Sequence, residues 1–157
     1  MKKTGPLRVL LLVLVLAAAS HLAAAGAASG SDLVHWLSYD QAKAQMVQAG
    51  KPVLIFFHLT YCGRCQKMER LVFSDPAFAA KLNQEVLPVM VDMDKEKPLG
   101  EEYHVDYIPT HVLLSPEGKE IYRDKGVVSL EKMNKMVDWA VSGAYRTKPF
   151  QAFYPGD

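Results

Sequence analysis

Cys62 and Cys65 are the only cysteines among 157 residues, and they close the stretch VLIFFHLTYCGRCQ at residues 53–66. Two thiols at this spacing can cycle between dithiol and disulfide, clip a metal ion, or staple the chain. A disulfide across so short a loop removes little entropy from the unfolded state, so a staple is a poor account of the pair. A zinc or copper site needs further ligands; His58, four residues before Cys62, and His104 and His111, near Pro109, are the candidates. A covalently attached haem would require histidine directly after the second cysteine, and Gln66 stands there. Thiol exchange and metal delivery therefore remain as the two chemistries to weigh.

The elements that would position the pair can be read from pattern. Ser38-Tyr39-Asp40-Gln41 has capping-box form and starts a helix that Gly50 and Pro52 end. Residues 53–57 are an unbroken apolar run with β-branched and aromatic side chains, which predicts a central strand buried on both faces. The CGRC turn comes next, and Cys65, Met68, Glu69 and Val72 are spaced to share a helix face. Ser74-Asp75-Pro76 opens the next helix, continuing to residue 85. Residues 86–92 predict a second strand, and 95–103 a short helix or loop. Residues 111–114 and 120–123 form a hairpin around Ser115-Pro116-Glu117-Gly118. Ser129 caps a last helix with an apolar face at Leu130, Met133, Met136, Val137, Ala140 and Val141. The two prolines after Lys148 predict an extended surface tail. Strand, helix and strand followed by a hairpin and a helix make an α/β sandwich around a mixed sheet. A CxxC between strand and helix in that order points to the thioredoxin architecture.

The N-terminus is another kind of sequence. Lys2, Lys3 and Arg8 precede an apolar run at residues 9–19, and small residues continue to residue 31. These are the parts of a secretory signal, with cleavage expected after Ala25 or Ala27. The run is shorter than the roughly 20 residues that span a bilayer. The expected organisation is a leader at 1–27 (cleaved, or kept as a tether), a domain at 28–148 and a tail at 149–157. Location is then periplasmic or secreted. The whole chain carries 18 Lys and Arg against 17 Asp and Glu; losing Lys2, Lys3 and Arg8 leaves 15 against 17. Composition is 50% hydrophobic and 22% charged, a globular mixture, with basic residues scattered rather than gathered into a nucleic-acid face.

Residues 35–145 resemble a thioredoxin-fold domain, in particular exported bacterial thioredoxin-like proteins and the C-terminal domain of the transmembrane thiol:disulfide interchange reductase. The resemblance rests on GKPVLIFFHLTYCGRCQKMERLVFSDPAF and on Tyr107-Ile108-Pro109-Thr110, whose Ile108 lies 43 residues beyond Cys65 (108 − 65). It implies that Cys62 is the nucleophile at a helix N-terminus, where free N–H groups favour a thiolate. Cys65 then resolves the mixed disulfide with the substrate. It implies a cis Pro109 facing the active site, Ile108 main-chain groups that pair with an extended substrate, and Thr110 beside them. Tyr61 stands where tryptophan is usual, as a substrate-facing aromatic or as packing at the strand end. Gly63 is expected to allow the tight turn and close approach of a partner, and Arg64 to favour the Cys62 thiolate or to be merely solvated.

Two departures bear on mechanism. The family's buried aspartate, six residues before the first cysteine, is replaced by Phe56, and its lysine in the next strand by Met90. Glu69, four residues after Cys65, is the candidate substitute proton acceptor; a solvated carboxylate is the plainer account. Gly63-Arg64 between the cysteines matches neither the reducing nor the strongly oxidising members. The resemblance implies an enzyme that needs no cofactor beyond its own disulfide. It would reduce or exchange disulfides of envelope proteins, with a membrane thiol reductase as electron donor. Thiol oxidation, Cys/His copper delivery and a non-catalytic chaperone role are the alternatives. If Thr110 faces the cysteines along its strand, His111 faces away from them.

Overall fold

The computed structural model of the protein describes residues 33–156. The expected leader at 1–27 lies outside the described residues.

Helix α1, Tyr39–Ala49, begins in a complete capping box. Ser38 Oγ accepts the Gln41 N–H at 3.2 Å, and Gln41 Oε1 accepts the Ser38 N–H at 2.9 Å. It ends at Gly50 with φ 63°, the left-handed conformation that glycine adopts without strain. Strand β1, Val53–His58, is next in the chain. Helix α2, Gly63–Met68, runs directly into a π-helical turn at Glu69–Phe73. Asp75 caps α3, Pro76–Glu85, by accepting the Phe78 N–H at 2.8 Å, with Pro76 in the first turn where its missing donor costs nothing. Then come β2, Leu87–Asp92, and α4, Lys97–Glu102. The hairpin is β3, Thr110–Leu114, and β4, Glu120–Lys125, followed by α5, Leu130–Val141.

The sheet order is β2-β1-β3-β4, with β1 parallel to β2 and antiparallel to β3, and β3 antiparallel to β4. Pro88 is tolerated because β2 is an edge strand, and its carbonyl accepts the Leu37 N–H at 2.8 Å. The two-residue period of β1 divides the core. Leu54 and Phe56 face one side with Cys65, Met68, Val72, Phe73, Met133 and Met136. Val53, Ile55 and Phe57 face the other, with Ala42, Val89, Val91, Val112 and Leu114. β1 is thus buried on both faces, as a continuous apolar run requires.

The segment after Lys148 differs from the extended tail its prolines predict. Residues Phe150–Phe153 form a short helix, α6, and Phe150 is only 2% exposed. Its ring lies 4.6 Å from that of Tyr122 and 5.8 Å from that of Trp139, centroid to centroid. Trp139 Nε1 donates to the Lys148 carbonyl at 3.0 Å. Proline at the helix start ended one element and opened another, and burial of one phenylalanine and one indole N–H supplied the rest.

Candidate active site

Cys62 is the N-cap of α2, and its Sγ accepts the Cys65 N–H at 3.2 Å. The two form a disulfide with Cα atoms 5.2 Å apart. Cys65 is fully buried, whereas Cys62 is half-exposed. Only one sulfur can therefore be reached from solvent. That sulfur lies at the N-terminus of α2, the end of a helix where its dipole and free N–H groups favour an anion. The π-helical turn at Glu69–Phe73 belongs to a type of distortion common at functional sites. It places Phe73 beneath the disulfide side of the core and leaves Glu69 half-buried.

The residues on either side of the pair take up distinct positions. Tyr61 is 94% exposed, so it packs against nothing at the strand end. Gly63 is not in a left-handed conformation, and a Cβ there would meet nothing within 4 Å. The turn itself does not require glycine, contrary to expectation; the missing side chain leaves open surface next to Cys62. Arg64 is exposed, and its guanidinium lies over a neighbouring ring. Its guanidinium carbon lies 4.4 Å from the Tyr107 ring centroid, and its Nη1 donates to the Tyr107 hydroxyl. This contact ties the CGRC turn to the loop that carries Ile108, Pro109 and Thr110. In that loop the Ile108–Pro109 peptide is cis. The Thr110 hydroxyl donates to the Tyr107 carbonyl at 2.7 Å, and the Pro109 carbonyl accepts the Gly126 N–H at 2.7 Å.

The place of the missing carboxylate is filled by rings. Phe56 is fully buried, with Met90 opposite it on β2 and His111 opposite it on β3. His111 does not face away from the cysteines. Its ring stacks on Phe56 at 5.3 Å between centroids and meets Phe73 at 6.5 Å. The reason is that Thr110 pairs with Phe57 and spends its hydroxyl on the Tyr107 carbonyl, so strand alternation turns the next residue to the cysteine side. His111 Nε2 reaches the Gly126 carbonyl at 3.3 Å, while Nδ1 is buried without a partner. Burial pushes the imidazole down to about 4, so it is neutral near pH 7.

His58 stacks on the same Phe56 ring at 5.4 Å, and its Nδ1 lies 3.9 Å from Glu69 Oε1. Sequence spacing singled out Glu69 and His58 separately but gave no sign that they meet. One is on a helix and the other on a strand, and only the packing of α2 on the sheet joins them. His104, with φ 48°, lines a surface cavity with Met93, Lys97 and Glu101 instead. Among the described residues no group of three or more His, Cys, Asp or Glu side chains is placed to hold a metal ion. Among them, too, no helix is long and apolar enough to cross a membrane.

A half-exposed sulfur at a helix N-terminus, bonded to a buried sulfur one turn on, in a mixed sheet between helices, defines a thiol:disulfide oxidoreductase of thioredoxin fold. Residues 39–140 match the family described as "Thioredoxin-like domain", and the chain belongs to that family. It is 34% identical over 77 residues to a thioredoxin-like protein of Synechocystis sp., covering 49% of this chain and 70% of that one. It is 29% identical over 90 residues to the thiol:disulfide interchange protein DsbD of Photorhabdus laumondii, covering 55% of this chain but only 15% of the relative. The solution structure of a thioredoxin from Thermus thermophilus superposes with a TM-score of 0.64 at 27% identity, covering 73% of this chain and 93% of that one.

Proposed function

We propose that this protein is an exported reductase that reduces or exchanges disulfides of envelope proteins. The observation that carries the reading is the asymmetry of the pair: Cys62 is reachable and caps a helix, while Cys65 is buried behind it. The Cys62 thiolate attacks a substrate disulfide, forming a mixed disulfide and releasing one substrate thiolate. Cys65 then attacks Cys62 Sγ; the Cys62–Cys65 bond forms, the bond to substrate breaks, and the second substrate thiolate leaves. Two electrons pass from the dithiol to the substrate. A membrane thiol reductase returns them, which restores the dithiol.

Tyr61, the open surface at Gly63, and the main chain of Ile108 beside cis Pro109 form the docking edge in this reading. Thr110 holds the loop through the Tyr107 carbonyl. The likeness to DsbD favours electron flow toward substrate, and the basic leader with its apolar run favours export. Arg64, drawn onto Tyr107, is less able to stabilise a Cys62 thiolate than a charge aimed at the sulfur.

Two measurements test this. Cys65→Ala is expected to retain envelope proteins as mixed disulfides on Cys62, and Cys62→Ser to retain none. The reduction potential of the pair against glutathione is expected near the about −270 mV of reducing thioredoxins; a value near about −120 mV makes the protein an oxidase.

A further inference from the structure

Resolution of the mixed disulfide requires Cys65 to lose a proton inside a core, and a thiol ordinarily titrates near 8.5. Phe56 and Met90, facing each other across β1 and β2, offer no acceptor. Glu69 stands one helical turn past Cys65, and its N–H donates to the Cys65 carbonyl. Its side chain is 27% exposed, which gives it a path to water. A carboxylic acid alone, ordinarily near 4.3, holds a proton poorly at neutral pH, whereas an imidazole, ordinarily near 6.5, is matched to it. The structure supplies that imidazole. His58 is 12% exposed, lies against the Phe56 ring, and turns a buried Nδ1, without a hydrogen-bond partner, toward Glu69 Oε1 at 3.9 Å.

We infer that Glu69 and His58 act as one proton-accepting unit for Cys65, with Glu69 taking the proton and His58 storing it. This rests on the thiol-exchange reading above. Before the step Cys65 is a thiol, Glu69 a carboxylate and His58 neutral. During it the Cys65 proton passes to Glu69 and on to His58 Nδ1. The Cys65–Cys62 bond forms and the bond from Cys62 to substrate breaks. The product is an imidazolium facing a carboxylate, which draws the 3.9 Å gap shut and later releases its proton to solvent past Glu69. His58 acts through Glu69 and is a positioning residue.

The surroundings agree. Asp92 stands opposite His58 on β2. Asp92 itself is not the acceptor. Its Oδ2 is held by Lys95 Nζ at 2.9 Å and by the Thr60 hydroxyl at 3.3 Å, and Lys95 keeps its carboxyl below the usual range. His111, also stacked on Phe56, is neutral and bonded to the Gly126 carbonyl. Sequence spacing offered His58 only as a metal ligand; the contact with Glu69 gives it a different task.

The experiment uses the reduced full chain and a small aromatic disulfide, dithiobis(nitrobenzoate), in stopped flow. The first coloured thiolate reports attack by Cys62 and the second reports resolution by Cys65. In His58→Gln and Glu69→Gln the second phase is expected to slow about tenfold or more at pH 7, with the first phase unchanged. The pH profile of the second phase is expected to differ from that of the wild type in both variants. The double variant is expected to be no slower than either single one, because the two act in series. His58→Phe, which keeps the ring stack on Phe56 and removes the nitrogens, is expected to behave like His58→Gln. A second phase in the His58 variants with the wild-type rate and pH profile overturns the inference and leaves thiol exchange standing. A wild-type protein that releases no second thiolate overturns both.

Discussion

Acidification is expected to weaken the fold through one residue, His111. The imidazole is fully buried, wedged between Phe56 and Phe73, with Nδ1 lacking a partner. Burial holds its titration at about 4, against an ordinary 6.5. Between those two values the unfolded chain binds a proton that the folded chain refuses. Stability from this group is therefore complete above pH 6.5, falls as pH is lowered through the window, and levels off below about pH 4. At about 1.4 kcal/mol per pH unit, the whole window amounts to about 3 kcal/mol, a large share of a small domain's stability. The Asp92 carboxyl is held below its usual 3.8, so its own contribution is lost only below the His111 window. The assay is urea unfolding of the oxidised protein at pH 7, 6, 5 and 4, beside His111→Leu. The variant loses the bond to the Gly126 carbonyl and starts about 1 kcal/mol lower, but its total loss of stability from pH 6.5 to 4 is expected to be smaller by the about 3 kcal/mol above. His58 is common to both proteins and cancels in the difference. Equal slopes for the two would refute the assignment of the acid sensitivity to His111.

Three further outcomes are expected. Phe150→Ala should cost about 3 kcal/mol and lower Tm by about 6–12 °C, because it empties a pocket between Tyr122 and Trp139; a change under 2 °C in a thermal melt, by that same scale, would show the last helix to be dispensable. Arg64→Ala should slow alkylation of reduced Cys62 at pH 7 by less than about tenfold, since the guanidinium is engaged by Tyr107 and exposed charges act weakly. Tyr107→Ala should free Arg64 and move Cys62 reactivity by less than about tenfold in the opposite direction, measured the same way. A larger fall in Arg64→Ala would mean that the charge acts on the sulfur directly.

Much of the fold was legible because local rules and packing agreed. The Ser38 box, the Asp75-Pro76 start, the β1 apolar run and the α5 face each state their element, and each formed where its pattern placed it. The tail misled because proline marks a break without specifying the next element. Whether Phe150 lies on the surface or in the core depends on Tyr122 and Trp139, which are distant in sequence or on another element. Gly63 misled in the opposite way. A glycine between two cysteines suggests a tight turn that needs its freedom, but the first residue of a helix has ordinary dihedrals.

The sequence by itself determined that two thiols end a buried strand and begin a helix, which points to thiol exchange with metal delivery as its rival. It also showed that the usual buried carboxylate is absent at Phe56. Tertiary structure alone decided which groups surround that gap. Strand pairing stacks His111 on Phe56 beside His58, and packing of the helix on the sheet brings Glu69 within 3.9 Å of His58. Pattern periodicity fixes which way a side chain points within its own element. It cannot say which residue of another element will be waiting there, because that depends on register and packing across the whole domain.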